Sequence, residues 1–281
     1  MTGPQPEVRA QLDLALARRG DRTVLDRRLF RWPFVLTRTF ALDRAPSHML
    51  TVILQTSSGA THGEDRLRQR FHVGGGAAAH VATQGASLIH RAAPGVTTEE
   101  KIAIRIEEGG YFEYLPEPRI LFPDAALDQT IEIDCAVGGV ALISDAFTTH
   151  DPEARGRGFR SLASTMILRC GGDDAVLVDR IDIRSLGQGR TAQFRAFGAM
   201  TLAAPGRRWD SMAAFANALS ATLATIPDLY AAASLLPDET AGLGVRLAGR
   251  DLRAVRAGIQ TAWNAIRCEF YGVPPPSRRK G

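Results

Sequence analysis

From residue 10 to about residue 200 the chain alternates apolar and other residues with a period of two, and turn residues cut this rhythm at short, fairly even intervals. Leu12, Leu14 and Leu16 alternate with Asp13, Ala15 and Ala17. That pattern puts one face of a strand against a core and the other outside it. Comparable runs occur at 34–38, 49–55, 67–73, 77–83, 102–106, 111–115, 130–134, 140–147, 162–169 and 175–183. Between them stand Gly20-Asp21, Gly74-Gly75-Gly76, Gly109-Gly110, Pro123-Asp124, Gly138-Gly139 and the Gly-Gly-Asp-Asp of 171–174. Many short strands with this punctuation indicate mainly β structure in stacked sheets, as a sandwich or a β-solenoid, rather than βαβ units.

Near residue 208 the period changes. Met212, Phe215, Ala216, Leu219 and Leu223 fall on one face of a helix. Asp210 or Ser211 is placed to cap its start, and Pro227 stops it. A second helix is predicted from about Arg250 to Phe270, with the stripe Leu252, Val255, Ile259, Trp263 and Ile266. Two strands, 230–236 and 244–248, lie between the helices, with Pro237-Asp238 starting their turn. The chain thus divides into a β core at 10–205, a small two-helix α+β element at 206–271 packed on it, and a flexible proline-bearing arm at 272–281.

Composition supports a folded chain and narrows its partners. The 281 residues are 45% hydrophobic and 23% charged, with a net charge of +4. These are globular proportions, and a chain of this length can bury a sizeable core without staples. Only Lys101 and Lys280 are lysines; the arginines are scattered among acids, and the densest cationic run, Arg278-Arg279-Lys280, is terminal. No nucleic-acid groove reader is expected from that distribution. Cys135, Cys170 and Cys268 are far apart and odd in number, so neither a disulfide framework nor a structural zinc site is indicated. The N-terminus has no apolar signal core, and residues 71–90, though without formal charge, carry a glycine triplet and three histidines. A reducing, cytoplasmic setting without a membrane span is the expectation.

Familiar catalytic devices are absent. There is no G-x-x-x-x-G-K-[ST] loop and no G-x-S-x-G elbow. The six histidines form neither H-x-H nor H-E-x-x-H. His72 and His80 flank the glycine turn at 74–76; facing each other across a hairpin, they would be the pair for a soft metal site. Carboxylates are spread through the β region as Glu64, Asp65, Glu113, Glu117, Asp124 and Asp145. A pair such as Glu113 with Asp145 would suit a β-sandwich or β-solenoid hydrolase. A binding module that meets an acidic partner through surface arginines is a further reading. Asp145 stands out because its strand, 140–147, is otherwise strongly apolar. A carboxylate buried there needs a partner, a hydrogen bond or water.

Three segments carry a resemblance: Ser58-Gly-Ala-Thr-His-Gly-Glu-Asp-Arg-Leu67, Thr83-Gln-Gly-Ala-Ser-Leu-Ile-His-Arg91 and Phe112-Glu-Tyr-Leu-Pro-Glu-Pro-Arg-Ile-Leu-Phe-Pro123. In order and spacing they resemble the glycine-rich loop, the T-x-x-A-S/T-x-x-x-R strand and the L-E-x-L-P-x-x-x-I-x-F segment of the UreD family of urease accessory proteins. Weaker matches at Leu12-Asp13-Leu14, Pro33, Asp145, 156–159, 178–180 and Trp263 extend it over nearly the whole chain. The resemblance implies a β-helix-like stack with a small two-helix element and a role that is not enzymatic. It implies binding to apo-urease and to a UreF-type protein that recruits a UreG-type GTPase. Nickel would cross such a protein in transit through a polar tunnel, with no tightly bound cofactor. Asp65, Ser87 and Asp145 stand at family motif positions and are the candidates for the tunnel lining. The chain departs from the family pattern at Ala60 and Glu64, where glycines are usual, at Arg157, and at its C-terminus. If Ala60 or Glu64 needs a left-handed backbone, the loop must have shifted, because a Cβ is penalised there.

Overall fold

A computed structural model describes residues 9–184 and 193–276. Residues 277–281 of the expected arm, with the cationic run 278–280, lie outside the described residues. The alternating sequence folds into two facing sheets. The chain opens with β1 (Leu12–Arg19) and β2 (Arg22–Phe30), then two short strands, β3 (Phe34–Val35) and β4 (Thr39–Phe40). Successive passes follow, each laying one long strand in each sheet, with a short extra strand of the larger sheet in each of the first three. The first is β5 (Leu50–Thr56), β6 (Ala60–Thr61) and β7 (Arg66–Val73); the second is β8 (Ala78–Thr83), β9 (Ser87–Ile89) and β10 (Thr98–Ile106). The third is β11 (Tyr111–Tyr114), β12 (Arg119–Leu121) and β13 (Ala126–Cys135), and the fourth is β14 (Val140–Thr149) with β15 (Ser161–Cys170). β16 (Ala175–Ile183) and β17 (Ala196–Ala203) come next, then α1 (Met212–Leu223), β18 (Leu229–Leu235), β19 (Leu243–Gly249) and α2 (Leu252–Tyr271).

Neighbouring passes pair in parallel. β7, β10, β13 and β15 do so in one sheet, and β5, β8, β11 and β14 in the other. Of the two architectures that alternation allows, the fold is therefore the solenoid. Antiparallel strands finish the stack: β2 on β1, β16 on β15, and β17 on β14. Where a pass turns from one sheet to the other, a glycine sits in the left-handed region: Gly76, Gly109 and Gly138 have φ of 68°, 71° and 84°, and Gly171, with φ 69°, turns the β15–β16 hairpin within one sheet. These turns stack, with Gly109 N–H donating to the Gly138 carbonyl at 3.1 Å. Between the sheets Phe71, Phe112, Tyr114, Ile104, Ile133 and Ile143 form the main core. Each large apolar side chain so buried contributes about 1.5–3 kcal/mol.

Residues 206–271 join the core through a shared sheet as well as by packing, because β19 pairs with β17 and β18 with β19. α1 and α2 cover the outer face of this sheet, where Trp263, Ile266, Leu219 and Leu223 meet Leu142, Met200 and Val245. The α2 N-cap is Asp251, whose side chain accepts the Ala254 N–H at 3.0 Å; Gly272, with φ 72°, ends the helix. α1 differs from the expected capping. Ser211 is its N-cap residue but makes no side-chain cap bond, and its φ, ψ of −93°, 7° is not the extended geometry that aims a hydroxyl at the first turn. Neither Ala60 nor Glu64 has a positive φ; the left-handed position of that loop is Gly59. The loop therefore accepts both side chains without strain. No helix among the described residues is long and apolar enough to cross a membrane.

Candidate functional site

The inner face of the stack is interrupted at one level. Along β13 the inward residues run Leu127, Gln129, Ile131; along β15 they run Leu162, Ser164, Met166. Along β14 they run Phe147, Asp145, Ile143. Register stacks Glu100 beside Gln129 and Gln129 beside Ser164. A polar layer thus crosses the interior between the main core and a smaller apolar cluster of Leu121, Leu127, Phe147, Phe159 and Leu162. Arg119, on β12, reaches into this layer from the opposite sheet.

Its members are closely bonded. Arg119 Nη2 donates to Glu100 Oε2 and Nη1 to Asp145 Oδ1, both at 2.6 Å. Gln69 Nε2 donates to Glu100 Oε1 at 2.7 Å, and Gln129 Nε2 donates to Asp145 Oδ2 at 2.8 Å. The Ser164 hydroxyl also donates to Asp145 Oδ2, at 3.1 Å. Burial opposes the charge on Arg119, but Glu100 and then Asp145 outweigh it and hold its pKa above the ordinary arginine value. Asp145 therefore has the partners that a carboxylate in an apolar strand requires. Two amide oxygens of the layer, Gln69 Oε1 and Gln129 Oε1, are buried without a hydrogen-bond partner, as is Thr61 Oγ1 nearby.

Two cavities flank the layer. One, of about 370 Å³, is lined by Thr61, Gln69, Ser87, Glu100 and Arg119, among others. The other, of about 300 Å³, is lined by Asp145, Ser164, Phe197, Tyr230 and Arg246, at the end formed by β17–β19. The Arg119–Asp145 ion pair joins a residue of the first cavity to a residue of the second. The layer between the two cavities thus presents charged groups, amides and hydroxyls, the oxygen-rich surroundings that water and small cations accept.

The candidates read from sequence are distributed unevenly. Ser87 lines the first cavity and Asp145 the second. Asp65 holds its own loop: its Oδ2 accepts the His62 N–H at 2.8 Å and its carbonyl accepts the Glu99 N–H at 2.9 Å. His72 and His80 do not face each other across a hairpin. The glycine turn carries the chain from one sheet to the other, so β7 and β8 belong to different sheets. His72 Nε2 lies 2.8 Å from Glu107 Oε1, whereas His80 Nδ1 lies 2.7 Å from Glu113 Oε2. Among the described residues no group of three or more His, Cys, Asp or Glu is placed to hold a metal ion. Glu113 and Asp145 do not form the carboxylate pair of a hydrolase. Glu113 is in register with Leu142, and Asp145 lies three residues further on the same strand, so the two side chains leave opposite faces of the sheet.

Sequence reasoning missed the partners of Asp145 and a second buried cluster. Glu100 was legible, since it falls in phase with Ile102, Ile104 and Ile106. Arg119 was not, because β12 is three residues long and shows no period. The second cluster lies on the outer face of the sheet, under α2. Arg267, fully buried, is paired to Asp43 and donates to the Ala45 carbonyl at 3.0 Å. Its Nε lies 3.1 Å from Glu113 Oε1 without the alignment of a hydrogen bond, as a charge contact. Glu113 accepts from Tyr111 Oη at 2.9 Å and Trp263 Nε1 at 3.0 Å. Burial pushes the Glu113 carboxyl up, but the His80 hydrogen bond, the charges of His80 and Arg267 and the indole N–H together bring it below the usual glutamate value. This cluster ties α2 to the stack.

Comparison with known proteins agrees with this architecture. The family model described as UreD urease accessory protein matches residues 8–281. The chain is 51% identical over 266 residues to urease accessory protein UreD 2 of Bradyrhizobium sp. strain BTAi1, covering 95% of this chain and 91% of that protein. It is 50% identical over 257 residues to UreD 2 of Bradyrhizobium sp. strain ORS 278, covering 92% and 89%. Urease accessory protein UreD of Mycolicibacterium smegmatis is 33% identical over 278 residues, covering 96% and 97%. With the family pattern matched along nearly its whole length, the chain belongs to the UreD family of urease accessory proteins.

Proposed function

We propose that this chain is a non-catalytic scaffold of urease maturation that passes nickel along its interior polar layer into apo-urease. It works in the cytoplasm, in a complex with a UreF-type protein and, through it, a UreG-type GTPase. Nickel is cargo in transit, and the chain holds no cofactor tightly. The observation that carries this reading is the polar level inside an otherwise apolar stack, with a cavity on either side. An ion in transit must keep oxygen or water ligands and still leave each site; Cys or paired His would hold it too well. Carboxylates, amides and hydroxyls in a wet passage meet that need. Ser87 and Asp145, which line the two cavities, are the residues assigned to this route, and Asp65, which lines neither cavity, is assigned to it by its family motif position alone.

The test is complementation of a host strain deleted for this gene. The wild-type chain restores urease activity and the nickel content of purified urease. Asp145→Ala, Ser87→Ala and Asp65→Ala each lower both while still co-purifying with the urease and the UreF-type partner. A variant that restores wild-type activation removes its residue from the route, and full activation without the gene removes the whole reading.

A further inference from the structure

We propose that Arg119 is a tethered counter-ion occupying a latent divalent-cation site midway along the polar layer. This rests on the reading of the layer as an ion route and adds the device that keeps it from becoming a trap. The guanidinium sits between Glu100 and Asp145 at 2.6 Å from an oxygen of each. The remaining oxygens of these carboxylates are held by the amides of Gln69 and Gln129. Those same amides leave their Oε1 atoms buried without a partner, with the two residues 5% and 1% exposed. The Ser164 hydroxyl accepts from Gln129 Nε2 and donates to Asp145 Oδ2.

Two carboxylates that meet at one point, backed by two amides and a hydroxyl, offer oxygen donors suited to a hard divalent cation as well as to a guanidinium. The charges say the same. Two carboxylates against one arginine leave a residual negative charge, which a dication in place of the arginine would cancel. Were the centre empty, an arriving ion would fall into the deepest well of the route and stay there. Arginine, which does not deprotonate at any physiological pH, fills that well permanently. An ion must then pass by brief exchange for the guanidinium, so entry and exit both remain shallow.

The experiment measures Ni²⁺ binding to the full chain, co-produced with its partner protein if needed for solubility, by equilibrium dialysis and metal analysis at neutral pH. Arg119→Ala is expected to gain one Ni²⁺ per chain at least about tenfold tighter than any site in wild type. Arg119→Lys, which keeps a counter-ion, gains none. Glu100→Gln with Asp145→Asn added to Arg119→Ala abolishes the gain. If Arg119→Ala does not fold without metal, Arg119→Met is compared with and without Ni²⁺; the proposal requires that Ni²⁺ raise its Tm, since a ligand that binds only the folded state stabilises it. A folded Arg119→Ala that binds no more Ni²⁺ than wild type, or a Tm indifferent to Ni²⁺, overturns the inference. The route reading is judged separately: if Glu100→Gln with Asp145→Asn activates urease like wild type, the route fails whatever Arg119→Ala binds.

Discussion

Two arginines inside this molecule do opposite jobs, and their surroundings explain the difference. Arg119 sits among oxygens that are left partly unsatisfied, beside a cavity. Arg267 is sealed under a helix by Asp43, Glu113 and the Ala45 carbonyl, with Met49 Sδ at 3.4 Å. Removing Arg267 leaves two fully buried carboxylates without their cation. Arg267→Met is therefore expected to lose about 3–5 kcal/mol at neutral pH, read from urea unfolding. The deficit has a sign in pH. Glu113 is held below its ordinary value of 4.5, so its contribution is complete above that pH and disappears as pH falls through the folded value. The gap between wild type and Arg267→Met should narrow as pH falls through the range where Glu113 takes up its proton, earlier in the variant, whose buried carboxyl has lost a cation, than in wild type; a pH-independent gap would show that the Arg267–Glu113 contact is not part of the loss. At this scale the sequence disclosed single anomalies but not their partners. Asp145 is visible as a charge in an apolar strand. Arg267 follows Trp263 by four residues and so lies on the apolar stripe of its helix, a signal of the same kind that periodicity counts pass over. Asp43, which lies outside the strands and helices, has no local pattern to mark it.

At the scale of elements, alternation located most strands of the stack because each puts residues of one parity inside. It could not choose between sandwich and solenoid, since parity is the same for parallel and antiparallel pairing. β9 and β12 escaped for another reason. They are three residues long and owe their extended form to the neighbouring passes, Arg119 pairing with Ser87 and Ile120 with Leu88. β17 was also missed as a distinct strand, though it is the joint of the molecule: it pairs with β14 of the stack on one side and β19 on the other. That joint depends on a close approach. A Cβ on Gly242 would lie 2.0 Å from the Leu202 carbonyl oxygen, a backbone atom that no rotamer change can move. Gly242→Ala should cost about 2–3 kcal/mol by thermal unfolding and loosen β18–β19 from β17. Hydrogen exchange should show the faster amides in 229–249 and 196–203 while β7, β10 and β13 keep their protection. An equal loss of protection in both regions would mean that the joint and the stack unfold as one unit.

Across the whole molecule, the cavities stand in sequence along the stacking direction, one at the β5 end and one at the β17 end, with the Arg119–Asp145 pair between them. If ions cross the proposed route, the two cavities behave as resistances in series. Narrowing either cavity limits the flow, and narrowing both adds nothing once one is closed. Partner docking depends on outer surfaces and has no reason to follow that rule. Ala86 lines the first cavity and Ala199 the second, and neither belongs to the bonded polar layer. Ala86→Phe and Ala199→Phe should each lower urease activation and its nickel content without abolishing co-purification. In the double variant the two added resistances sum, so activation falls below either single variant but stays above the product of the two fractional activities. Multiplying losses would point instead to two independent contributions, such as separate docking faces at the two ends. Wild-type activation by Ala199→Phe, in a chain whose thermal unfolding is unchanged, would place the exit of the ion somewhere other than the β17–β19 end. The series rule separates a conduit from a clamp with the same residues and the same assay, because a conduit adds the resistances of its two ends whereas independent docking faces multiply their losses.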